Sequence, residues 1–226
     1  MFTGLISEIG VVRRVVSSGA ATRLTIDATY QGLELGESIA VAGVCLTVAR
    51  IGQGSFEADA SEETLRRTTL GAARAGTRMN LERAVRPHDR LGGHLVTGHV
   101  DAVGKLVEVA AIGGAKKLTI GLDPELARYV AEKGSITIDG VSLTLNGASA
   151  PGERQAWFHV AIIPHTQDKT TLQDLSVGAP VNLEVDLVAR YVARLMAFPQ
   201  APAAHSESGS KSTLQALLET HGFGAP

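Results

Sequence analysis

Cys45 is the sole cysteine among 226 residues. One thiol excludes an internal disulfide and a cysteine-based zinc cluster, and it fits a reducing compartment. An excess of charge of one sign is lacking too. The 21 Lys and Arg oppose 23 Asp and Glu, for a net charge of −2. Such a balance offers no polyanion-binding surface, so nucleic acid is not an expected partner. Apolar runs of the roughly 18 residues that would cross a membrane do not occur. The start, Met1-Phe2-Thr3-Gly4-Leu5-Ile6, has no basic region and soon meets Glu8. The expectation is a chain that is neither exported nor membrane-bound, hence cytoplasmic. The patterns GxGxxG, GxxxxGK[ST] and GxSxG are missing as well, so no nucleotide cofactor is indicated.

What is present is an internal repeat. Thr3-Gly4 and Gly10 return as Thr97-Gly98 and Gly104. Ser38-Ile39 and Gly43-Val44-Cys45-Leu46-Thr47 return as Ser135-Ile136 and Gly140-Val141-Ser142-Leu143-Thr144. Thr64, Thr68-Thr69-Leu70, Gly76 and Asn80-Leu81-Glu82 return as Thr166, Thr170-Thr171-Leu172, Gly178 and Asn182-Leu183-Glu184. The three blocks keep their order and are displaced by 94, 97 and 102 residues. That spacing is too long for a solenoid and implies two whole domains, 1–94 and 95–185.

Within each half, short β-branched segments alternate with glycine and polar turns, which is a strand signature. Ser38 to Val48 and Ile136 to Leu145 read as such segments. Val107 to Ala111 and Lys117 to Leu122 flank Ile112-Gly113-Gly114-Ala115, a hairpin in which glycine supplies positive φ. Many short strands in about 90 residues predict a small closed barrel or sandwich. Asp123 with Pro124 opens a helical segment through Lys133. A helix is expected over 186–198, ended by Pro199, with Leu187, Val188, Tyr191, Val192 and Leu195 on one face. It lies beyond both repeats, so an oligomer contact is the natural cover for that face. Residues 199–226 read as a linker, Gln200 to Ser210, and a short terminal helix, Ser212 to His221.

Cys45 occupies the position of Ser142 in the other half, a thiol against a hydroxyl; the plain alternative is a small buried hydrophobe. His94 and His99 stand in a Gly-rich stretch, Gly92-Gly93-His94-Leu95-Val96-Thr97-Gly98-His99. Five apart on a strand they would point to opposite faces, and no carboxylate or thiol accompanies them, which argues against a shared metal and for hydrogen-bonding or acid–base work. Ser61 to Thr69 and His165 to Thr171 supply neutral donors and acceptors in both halves and suit a polyhydroxylated ligand, unless they are ordinary caps and turns.

Met1-Phe2-Thr3-Gly4, Gly43-x-Cys45-Leu46-Thr47, Gly92-Gly93-His94-Leu95-x-x-Gly98-His99, Asp139-Gly140-Val141-Ser142-Leu143-Thr144 and Ile163-Pro164-His165-Thr166 together resemble riboflavin synthase of the alpha-chain type, in unbroken order over residues 1 to about 198. The resemblance implies an all-β fold, with two tandem Greek-key antiparallel six-stranded barrels, short helices and a C-terminal helix. It implies a homotrimer, no metal and no organic cofactor, and a possible association with lumazine synthase. The implied reaction is the dismutation of two molecules of 6,7-dimethyl-8-ribityllumazine, paired between barrels of neighbouring subunits, to riboflavin and 5-amino-6-(D-ribitylamino)uracil.

Carried over residue by residue, the first pocket is expected to combine Gly4, Leu5 and Ile6 with Cys45, Leu46 and Thr47, near Ser38 and closed by Asp59, Ala60, Ser61, Glu62, Glu63 and Thr64. The second is expected to combine Gly98, His99 and Val100 with Lys133, Ser142, Leu143 and Thr144, and with Ile162, Ile163, Pro164, His165, Thr166 and Gln167. His99, Cys45, Ser38 and Asp139 are the candidate catalytic residues, His99 for proton transfer and Ser38 or Cys45 for addition at C7 of the acceptor. Ala42 stands where Asp139 has its counterpart, and the family pattern leads one to expect asparagine there. The competing expectation is a non-catalytic lumazine- or flavin-binding antenna protein of the same fold.

Overall fold

A computed structural model describes residues 1–198, residue 20 apart. Each half forms a closed antiparallel barrel of six strands. The first runs β1 (Glu8–Ser18), β2 (Ala21–Asp27), β3 (Ser38–Val41), β4 (Val44–Gly52), β5 (Ser55–Ser61) and β6 (Arg78–Arg83), in spatial order β1-β2-β5-β4-β3-β6. The second repeats that order with β7 (Ala102–Ile112), β8 (Ala115–Leu122), β9 (Ser135–Ile138), β10 (Val141–Ala148), β11 (Ala156–Ile162) and β12 (Pro180–Val185). This is the Greek-key pair of barrels that the resemblance implied, and closure leaves no strand edge unpaired. Strand alternation sends Leu24, Ile26, Ile39, Phe56 and Leu81 into one core and Leu118, Ile120, Ile136, Phe158 and Leu183 into the other. Short helices α1 (Glu62–Arg67) and α2 (Pro164–Lys169) each lead into a 3₁₀ turn that buries Leu70 or Leu172.

Three local expectations need correction. Ser38 to Val48 and Ile136 to Leu145 are hairpins rather than single strands. Their turns, Ala42-Gly43 and Asp139-Gly140, hold both residues at positive φ, a geometry that a continuous β-branched reading conceals. The segment capped by Asp123 is a 3₁₀ turn ending at Tyr129, and Lys133 lies beyond it at φ 64°. His94 and His99 lie on no strand but in the connection between β6 and β7, where the expected boundary at 94/95 also falls. The 10-residue helix α3 (Leu187–Met196) begins at Asp186, whose carboxylate accepts the Val188 N–H, and leaves Val188, Tyr191 and Val192 exposed. The linker and terminal helix expected over 199–226 lie outside the described residues.

The halves meet across a pseudo-twofold seam. Asn80 Oδ1 accepts the Thr171 N–H and its amide donates to the Asp139 carbonyl; Asn182 Oδ1 accepts the Thr69 N–H and its amide donates to the Ala42 carbonyl. Gly43 and Gly140 abut there, and a Cβ on either would come within 3.0 Å of the other's backbone.

Candidate active site

In each barrel the β3–β4 type of hairpin carries a polar row on its outer face. Ser38 pairs with Thr47 and Ala40 with Cys45; Ser135 pairs with Thr144 and Thr137 with Ser142. Directly opposed residues share a face, so these side chains project away from the cores. Leu46 and Leu143 fall on the alternate face, 5% and 8% exposed, and can offer a ligand only their backbone. Ala60 and Ile162 are likewise turned inward.

The segments that precede each barrel are exchanged. Gly4 C=O accepts the Ser142 N–H at 2.8 Å, and Gly98 C=O accepts the Cys45 N–H at 2.8 Å. Ile6 packs on the second core and Val100 on the first. The expected groupings are therefore corrected. Gly4, Leu5 and Ile6 join Ser142 and Thr144, whereas Gly98, His99 and Val100 join Cys45, Thr47 and Ser38. The segments cross at an antiparallel bridge between Phe2 and Val96, and Phe2 fills the space beside Ala40 and Cys45. Glycine is required at both contacts. Gly4 and Gly98 hold φ of 77° and 79°, and a Cβ would stand 2.5 Å from Ser142 Cβ or 2.6 Å from Cys45 Cβ.

Buried carboxylates fasten both segments. Glu82 accepts from the Thr3 N–H and hydroxyl at 2.7 Å and from the Gly4 N–H at 2.9 Å, and Glu184 treats Thr97 and Gly98 in the same way. Burial pushes both carboxyls above the usual range, and the donated hydrogen bonds pull them back. Their sequence signal was the repeat of a glutamate inside a core strand, in Asn80-Leu81-Glu82 and Asn182-Leu183-Glu184.

His94, read with His99 as a candidate for hydrogen-bonding or acid–base work but placed in neither expected pocket, belongs here. Its N–H donates to Thr3 C=O, and its Nδ1 meets Ser142 Oγ at 2.8 Å. Its Nε2 is buried without a partner, and burial lowers the imidazole's proton affinity while Asp186 partly restores it. A neutral His94 can therefore exchange a proton with Ser142. His99 is exposed beside Cys45, which is half-buried. Among the described residues no three metal-ligating side chains converge.

The flanking segments divide between structure and surface. Asp59 is held by Arg23 in a two-pronged pair at 2.7 Å, Ser61 caps α1, and Glu63 pairs with Arg66 and Arg67. The Thr64 hydroxyl shares a hydrogen bond with Ser61 Oγ at 2.9 Å, and Glu62 is exposed. On the second barrel, Ile163, Pro164 and His165 are exposed, Gln167 donates to the Ile162 carbonyl, and exposed Lys133 is anchored to Leu145 through its N–H. Asp139 departs from expectation. Its carboxyl accepts the Asn182 N–H in the seam, in a cleft with Ala42, Thr69, Arg78 and Asp174, rather than joining the Ser142 row. Burial there pushes it up to about 7.

The lumazine binding domain model matches residues 3–84 and again 97–186. A riboflavin synthase of Mycobacterium tuberculosis (strain ATCC 25618 / H37Rv) is 49% identical over 199 residues, spanning 87% of this chain and 98% of that protein. The chain belongs to the riboflavin synthase family. Riboflavin synthases of Photobacterium phosphoreum and Bacillus subtilis (strain 168) are 39% and 34% identical over 99% of this chain, covering 99% and 100% of their own lengths. Among solved structures, LumP complexed with 6,7-dimethyl-8-(1'-D-ribityl) lumazine superposes with a TM-score of 0.70 over 82% of this chain and 99% of that one. At 22% identity it shares the fold. The two family matches bracket the two barrels and include both exchanged segments.

Proposed function

We propose that the protein converts two molecules of 6,7-dimethyl-8-ribityllumazine into riboflavin and 5-amino-6-(D-ribitylamino)uracil by moving a four-carbon unit from one to the other. The observation that carries this is the paired site. Two outer-face rows of Ser, Thr or Cys are each completed by a Thr-Gly segment from the other half, which makes two similar seats for two identical molecules. Holding two reactants in attack geometry contributes roughly 7–11 kcal/mol toward the barrier.

The exchange of segments changes the division of labour. His99, Cys45 and Ser38 gather around one lumazine, and Ser142, His94 and Lys133 around the other. In the first seat Ser38 or Cys45 assists addition at C7 of the ring, directly or through water, with His99 beside it to transfer protons. In the second, Ser142 and His94 form the proton-transfer pair for the acidic C7 methyl of the donor. A positioned acid or base of this kind contributes roughly 10²- to 10⁴-fold.

The seats lie on open faces of one chain, with Leu5 51% and Ile163 56% exposed. A second copy supplying the facing seat is the arrangement this favours, within a homotrimer joined through the exposed face of α3. Cytoplasmic location and any association with lumazine synthase belong to the same reading. Incubating the purified protein with the lumazine tests it. Riboflavin absorbance should appear with no added cofactor, and tight binding without product would favour the antenna-type alternative.

A further inference from the structure

The barrels differ on the faces formed by β1, β2 and β5 in the first and by β7, β8 and β11 in the second. In the first, one transverse row reads Val11–Asp27–Ser55 and the next ends in Glu57. Ion pairs cover it, with Arg13 on Asp27 at 2.6 Å and Arg23 and Arg50 on Glu57 at 3.7 and 3.8 Å. In the second, the matching row reads Lys105–Gly121–Trp157 and the next ends in His159. Acid has become glycine and serine has become tryptophan.

The result is a flat aromatic shelf. The Trp157 and His159 rings stack at 5.9 Å with a 19° interplanar angle. His159 lies on Gly147, where a Cβ would come within 2.5 Å of the ring. Gly121 puts no side chain beside the indole, and Val107 Cγ1 lies 3.3 Å from where a Cβ would stand there. A cleft of about 820 Å³ opens over the shelf, lined also by Val103, Val107, Lys105 and Arg154. That is the size class of small-molecule sites. Glu108 at its edge is engaged by Lys117 at 3.1 Å and by the Thr119 hydroxyl at 2.8 Å. Among the described residues Lys105 and Arg154 have no ion-pair partner, so the cleft offers a π surface flanked by two free cations.

We propose that this face binds a planar heterocycle carrying a phosphate, of the mononucleotide class, with the ring stacked on Trp157 and the phosphate between Lys105 and Arg154. Stacking needs only a π face, and the cations select the anionic form. The chain's balanced charge favours a single nucleotide over a polyanion. The shelf rests on the Gly147 end of β10, five residues along that strand from Ser142, and its proposed binding does not depend on the reaction proposed above.

Trp157 is the protein's single tryptophan, so its emission reports on this cleft directly. Adenosine monophosphate is the probe, because it does not absorb in the emission band. Saturable quenching by it is expected, with adenosine binding about tenfold more weakly. The double substitution Lys105→Gln and Arg154→Gln should weaken the monophosphate about tenfold and leave adenosine unchanged. Gly121→Asp, which restores the first barrel's residue, should abolish quenching while riboflavin formation continues at the wild-type rate. Absence of quenching at millimolar monophosphate, or equal quenching by adenosine that ignores both cations, overturns the proposal.

Discussion

The carbonyl of Gly4 accepts a hydrogen bond from the backbone of Ser142, 138 positions along the chain in the other barrel. With its counterpart between Gly98 and Cys45, it makes each half complete the other's polar row. Gly4→Ala should break one side of this exchange selectively. The added methyl collides with Ser142 and suffers positive φ, costing about 1–3 kcal/mol in stability. Titration with a lumazine analogue should show one of two binding sites weakened; two unaltered sites would contradict the exchanged grouping.

His99→Ala and Cys45→Ala should both reduce turnover and leave circular dichroism unchanged. The histidine should cost the more, about 10²-fold or greater if it moves a proton in the rate-limiting step. Wild-type kcat in either variant would remove that residue from the chemistry.

Asp139 makes stability depend on pH. Its folded value of about 7 lies above the ordinary 3.8, so the folded state holds the proton more tightly. The contribution is complete below pH 4 and is lost as pH rises through 7, where a charged carboxylate must stay buried. Asp139→Asn keeps the Oδ1 acceptor for Asn182 and carries no charge. Its melting temperature should match wild type near pH 4 and exceed it at pH 8, where the stability difference is on the order of 2 kcal/mol or more. A constant offset across that range would mean that Asp139 titrates normally.

Ala42 occupies the same turn at φ 48° without a polar side chain. Asparagine tolerates that conformation better and can reach the Asn80 N–H as Asp139 reaches that of Asn182. Ala42→Asn should raise the urea midpoint, by about 1 kcal/mol in stability, with no change in slope. A lower midpoint would show that the seam has no room for it.

The face of α3 carries the oligomer proposal. Replacing Val188 and Tyr191 with serine should shift sedimentation toward a smaller species and lower activity in parallel. An unchanged mass would assign that face another role.

Much of this was legible in the residues. The order of the blocks showed the duplication, and alternation of apolar and polar residues marked the strands, because burial on one face of a pleated sheet writes a period of two into the sequence. Gly113-Gly114 and Asp123-Pro124 announced their turn and cap through local backbone chemistry. The hairpin tip at Ala42 did not, because alanine at positive φ is rare and only the ladder forces it there, whereas Asp139-Gly140 carries the dipeptide such a turn favours and was concealed only by the apolar run around it. His94 stood out as a hydrogen-bonding or acid–base candidate but was assigned to neither pocket, because nothing in its neighbours indicates that Ser142 lies against it.

By itself, then, the sequence determined two barrels, their cores, and the residue types available for chemistry, since these follow from local propensity and patterned burial. Which hairpin each Thr-Gly segment docks against was decided by the tertiary structure alone. Thr3-Gly4 and Thr97-Gly98 dock through backbone hydrogen bonds and buried glutamates, and a backbone carbonyl is the same at every position. A repeat therefore reveals that the segments are alike, and only the folded seam reveals that they have traded places.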